Sequence, residues 1–113
     1  MATWDEVIAL CEAELPEVER STSYGTPALK VKGKLFARLK EDEERIVIFV
    51  DFIEREAMTQ ENPDAYIVTD HYRDYPMMLI DLDAVADDEL REVLIESWRR
   101  RAPKKLLAEF DEA

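Results

Sequence analysis

The chain has 113 residues, 27 of them acidic and 15 basic, for a formal net charge of −12; 47% are hydrophobic, and it holds one cysteine and one histidine. That length supports one domain around one core, and no apolar run approaches the ~20 residues of a bilayer span, so a soluble, cytoplasmic protein with no membrane attachment and no secretion leader is expected. Cys11 alone cannot form an internal disulfide and a single histidine builds no zinc site of ordinary Cys/His spacing, so neither metal nor cofactor is expected.

Thr3, with Glu6 three residues later, reads as a capping box, and Trp4, Val7, Ile8, Cys11 and Leu15 make an apolar stripe at helical spacing. A first helix is expected from about Trp4 to Glu14, stopped by Pro16, with Cys11 packed in the core rather than acting as a nucleophile. Residues 21–28, STSYGTPA, are turn chemistry: Gly25 accommodates positive φ and Pro27 holds Thr26 extended. From Leu29 the period changes to two. With Lys32-Gly33-Lys34 as a three-residue hairpin loop, Leu29, Val31, Leu35, Ala37 and Leu39 share one face, and Lys30, Phe36, Arg38 and Lys40 the other.

Acidic EDEE (41–44) makes a loop, and RIVIFVDF (45–52) is apolar on both faces, as in a central strand; the three strands form a meander. Residues 53–62 are helix-prone and end before Pro63. Strands are expected over 65–69 and 77–82, around DHYRDYP. A long helix over 88–101 takes Asp87 as its cap and Leu90, Val93, Leu94 and Trp98 as its stripe, and Pro103 opens a short final helix to about Glu109. The order α-β-β-β-α-β-β-α predicts a two-layer α+β domain, with helices packed on an antiparallel sheet of about five strands.

Charge is segregated along the chain. Residues 20–40 hold six bases and 99–105 hold five, with no acid in either, while the other 85 residues hold four bases and all 27 acids. The hairpin face of Lys30, Phe36, Arg38 and Lys40, flanked by Lys32 and Lys34, offers cations for phosphates and an aromatic ring for base stacking. Arg100, Arg101, Lys104 and Lys105 would extend it if the two islands meet; alternatively, these cations balance the protein's own carboxylates and a helix C-terminus. His71 and Tyr72 are further candidate ligand contacts, although a histidine with no partner for acid–base work reads first as a structural residue hydrogen-bonded at a strand end. Asp81 and Asp83 read as solvated strand-end carboxylates, and two glycines are too few for a phosphate-binding loop.

Three segments, SYGTPALKVKGKLFARL, REAMTQENPDAYIVTDHYRDYPMMLIDL and ELREVLIESWRRRAPKKL, resemble in order and spacing the MmcQ/YjbR family of small bacterial proteins. The resemblance runs from the first helix to Leu106, and its most specific residues are His71, Tyr72 and Pro76, followed by the last tryptophan and APKKL. It implies one domain over 1–113 with a two-layer arrangement similar to secretion chaperones. It also implies DNA binding through a sheet whose loops resemble a double wing, and it brings no catalytic residues, so no enzyme is expected. DNA is therefore the first expected partner of a monomer or homodimer, and the alternative is an acidic module that binds another protein.

Overall fold

The computed structural model describes residues 2–112. Helix α1, Trp4–Glu14, begins where the capping residue directs it: Thr3 Oγ1 accepts a hydrogen bond from the Glu6 backbone N–H at 3.2 Å, and Val7 and Cys11 face the core. Strands β1 (Val18–Ser23), β2 (Thr26–Val31) and β3 (Lys34–Leu39) then form a continuous antiparallel ribbon. Its turns have two residues each, Tyr24-Gly25 and Lys32-Gly33, all four at positive φ between 48° and 80°, the backbone that matches the twist of paired strands.

Two details of the expected sheet are corrected here. The expected two-layer antiparallel sheet of about five strands is present with a sixth at its edge, because VERSTS, whose last three residues read as turn, pairs along its whole length with β2. The hairpin loop is also one residue shorter than expected, so Val31 pairs with Lys34 and Lys30 with Leu35, turning Leu35 to the outer face. A bulge follows, since Leu29 pairs with Ala37 and Phe36 is the extra residue. Phe36 therefore enters the core, fully buried beside Ala37, instead of joining Lys30, Arg38 and Lys40 outside.

The bulge interrupts the ladder to β4 (Arg45–Phe49), and Ser97 fills the gap. Its hydroxyl donates to the Phe36 carbonyl and accepts from the Phe49 N–H at 2.9 Å. Beyond β4 come α2 (Phe52–Glu61), β5 (Tyr66–Ile67), a 3-10 turn at Asp70–Tyr72, β6 (Met77–Asp81), α3 (Asp87–Arg101) and α4 (Lys104–Glu112). Asp51 caps α2, accepting from the Ile53 N–H at 2.8 Å. Asp87 is the first residue of α3 rather than its cap; with Asp88 and Glu89 it places three carboxylates at the positive end of the helix dipole.

The sheet order is β1-β2-β3-β4-β6-β5, all antiparallel. One face carries Leu29, Val31, Ile46, Ile48, Met78 and Ile80 against Val7, Cys11, Leu90, Leu94, Trp98 and Leu106 from α1, α3 and α4. Burial pushes the Cys11 thiol up to about 12, which makes it inert. On the opposite face Tyr72 packs on Val47 and Leu79, so residues 70–76 lie as a strap across the sheet. Arg55 holds that strap from α2: Nη1 donates to the carbonyls of Tyr72, Tyr75 and Met77, and Nη2 to that of Arg73, at 2.7–3.2 Å.

Candidate functional site

Most of the cations singled out by the sequence are engaged within the protein. Arg38 is only 4% exposed. It donates to Thr26 Oγ1 at 2.9 Å, Glu41 Oε1 at 3.2 Å and the Tyr72 hydroxyl at 3.1 Å, which ties the ribbon to the strap. Burial disfavours its charge, but these partners outweigh that and hold its pKa above the usual value. Lys40 pairs with Glu41 at 3.4 Å and lies over the Tyr72 ring; Lys32 pairs with Glu17 at 3.6 Å. Glu41 is held down to about 2 by its own backbone N–H, then by Arg38 and Lys40.

The two basic islands meet at one point. Arg101 donates through Nε to the Leu35 carbonyl at 2.8 Å and stacks on Phe49, and Arg99 pairs with Asp111. Arg100 instead lines a cleft between α2 and α3. Lys34, Lys104 and Lys105 are exposed and Lys30 is half-buried, with no ion pair for these four among the described residues. A phosphate-tracking stripe interleaved with an aromatic ring is not assembled: Phe36 lies in the core and Arg38 beneath the strap. His71 sits exposed in the 3-10 turn rather than at a strand end, its ring edge-on to Tyr72 at 4.7 Å, and Tyr72 itself is buried.

What the sequence reading missed is a cleft of about 360 Å³ between α2 and α3, at the end of β4. Its floor is largely apolar: Ile48, Val50, Met58, Tyr66 and Val93. Asp51, Glu54 and Glu61 line the α2 side, and Glu89, Glu92 and Glu96 the α3 side, with Arg100 the one basic residue. Tyr66 donates to Glu89 at 2.7 Å; burial, then that carboxylate, push its phenol above the ordinary range. The signal in the sequence was the spacing: residues 89, 92, 96 and 100 recur every three or four positions and so share a helix face.

The strand order, the helices on one face and the strap on the other define a two-layer α+β domain with no helix, among the described residues, long and apolar enough to cross a membrane. A solved structure of Deinococcus radiodurans protein DR2400, carrying the family-model domain DUF419, has this fold: TM-score 0.79 at 23% identity, over 98% of this chain and 89% of that one. The YjbR family model matches residues 13–100, and the chain belongs to that family. Among curated proteins, uncharacterized protein Rv2570 of Mycobacterium tuberculosis and uncharacterized protein Mb2600 of Mycobacterium bovis are each 33% identical over 54 residues, 48% of this chain. The matched stretch covers 42% of each relative, so the chain spans less than half the length of the curated relatives it matches.

Proposed function

We propose that this YjbR-family chain is a non-catalytic binding module that engages a cationic partner protein through its acidic surface. The observation that carries this reading is the way charge is allocated. Arg38, Lys32, Lys40, Arg99 and Arg101 are turned onto the protein's own carboxylates and carbonyls, whereas six carboxylates line an open cleft beside one guanidinium, and three of them, Glu54, Glu61 and Glu92, have no ion pair or side-chain hydrogen bond among the described residues. A surface of net charge −12 repels phosphate backbones at long range and steers basic partners in. The competing reading, DNA binding through the hairpin and the end of α3, would have to rest on Lys30, Lys34, Arg100, Lys104 and Lys105.

Fluorescence anisotropy separates the two. Labelled duplex DNA, single-stranded DNA and a Lys/Arg-rich peptide are titrated with the protein at roughly 50 and 200 mM salt, where each phosphate contact contributes a log–log slope of about −0.9 in B-DNA. The expected result is binding of the peptide and of neither DNA. DNA binding that weakens steeply with salt and disappears in the Lys34→Glu/Lys104→Glu/Lys105→Glu variant would overturn the proposal.

A further inference from the structure

The cleft between α2 and α3 leaves two apolar side chains, Met58 and Val93, partly open at its floor, and the charges around them limit what can cover them. Met58 and Val93 are only half-buried, whereas Ile48, Val50 and Tyr66 are buried; together they line the apolar part of a cleft of about 360 Å³, at the lower end of the roughly 300–1,000 Å³ of binding pockets. Water is a poor occupant for such a floor. The carboxylates stand on two helices, on either side of that floor, and no three acidic, histidine or cysteine side chains among the described residues come close enough to hold a metal ion. A compact cation would therefore meet one wall and leave the apolar surface wet. Nucleic acid and anionic lipid are repelled by the walls. The chemistry that satisfies floor and walls together is an apolar ridge flanked by cations.

We infer that the α2/α3 cleft seats a short amphipathic basic segment of a partner protein, with apolar side chains on Met58 and Val93 and its lysines or arginines on Glu54 and Glu92. The inference rests on the binding-module reading above and specifies where and how the partner sits. Apolar anchors supply contact area, while the charges on the walls fix orientation and discriminate against acidic segments. Arg100, at the end of the acidic helix face, sets one limit of the site and disfavours a cation beside it.

The probe is a fluorescein-labelled twelve-residue Leu/Lys peptide with leucines at helical spacing, set against a scrambled peptide of the same composition. The full chain is compared with a cleft variant, Glu54→Gln/Glu92→Gln, and with Asp83→Asn/Glu112→Gln, which makes the same charge change at exposed positions outside the cleft. All of these side chains are exposed, and circular dichroism checks that each variant folds. The cleft variant is expected to lose roughly tenfold in affinity, the outside variant less than about threefold, and the scrambled peptide to bind at least about tenfold more weakly. Met58→Glu, which places a charge on the floor, is expected to abolish binding of the ordered peptide. Equal losses in the two charge variants, or equal binding of the two peptides, would overturn the cleft while leaving the acidic-surface reading intact. No binding of either peptide to the parent would overturn both.

Discussion

Replacing Ser97 with alanine removes one hydroxyl and strands two backbone groups. In the native sheet that hydroxyl bridges the Phe36 carbonyl and the Phe49 N–H across the gap opened by the bulge, and Ser97 is fully buried. A buried donor or acceptor left unsatisfied costs about 1–3 kcal/mol. Two such groups, with some relief from strand movement, give an expected loss of about 2–4 kcal/mol, out of a stability of roughly 5–15 kcal/mol for a domain of this kind. Urea unfolding at 25 °C, followed by the fluorescence of buried Trp98, reads the change as a lower midpoint at unchanged slope. Hydrogen exchange at the Phe49 amide supplies a local readout and should quicken more than at Ile46 or Ile48. A loss under about 0.5 kcal/mol with the Phe49 amide still protected would refute the reasoning, because it would mean that β3 and β4 close the gap themselves.

Arg55→Lys keeps the charge but cannot reproduce a fork that serves four carbonyls; the expected loss is about 1–2 kcal/mol in urea unfolding, with faster amide exchange concentrated in residues 70–76. Tyr72→Phe removes the hydroxyl that accepts from buried Arg38 and should cost about 1–3 kcal/mol by the same assay, while an unchanged midpoint would show that Arg38 finds another acceptor. Glu41, lowered from 4.5 to about 2, contributes stability that is fully present above the unfolded value and is lost as pH falls through the folded one. The difference in urea midpoint between the parent and Glu41→Gln should therefore be constant above about pH 5 and close toward pH 2. Native Cys11 should resist iodoacetamide at pH 8 and react fully in urea, as mass spectrometry would show.

The element order was legible because local signals agreed: the Thr3 cap, the change of period at Leu29, the apolar run from Arg45 and the stripe of α3. β1 was not, because an edge strand with exposed Glu19, Arg20 and Thr22 carries little apolar alternation and reads as turn. Phe36 was misplaced for a different reason. Pairing register depends on loop length, and a two-residue turn followed by a bulge reverses the faces twice within five residues. The charge islands were visible, but which cations remain available is decided by tertiary partners such as Glu41, Asp111 and the Leu35 carbonyl. The cleft needed two helices that are far apart in sequence to face each other. The carboxylate spacing on α3 was present in the sequence, yet nothing local indicated that α2 would stand opposite.

The two-residue turns also divide the sheet by the order in which it can assemble. β1, β2 and β3 pair through chain neighbours, and both turns suit the twist of the strands they join. β4 meets β6 only after the chain has passed through α2, β5 and the strap, so that pairing carries a larger loop-closure entropy. The ribbon is thus the half that can zip early, and the β4/β6 seam must wait for Arg55 and Tyr72 to gather the intervening chain. On this reading, substitutions at Gly25 or Gly33 register mainly in the folding rate, and those that loosen the strap register mainly in the unfolding rate.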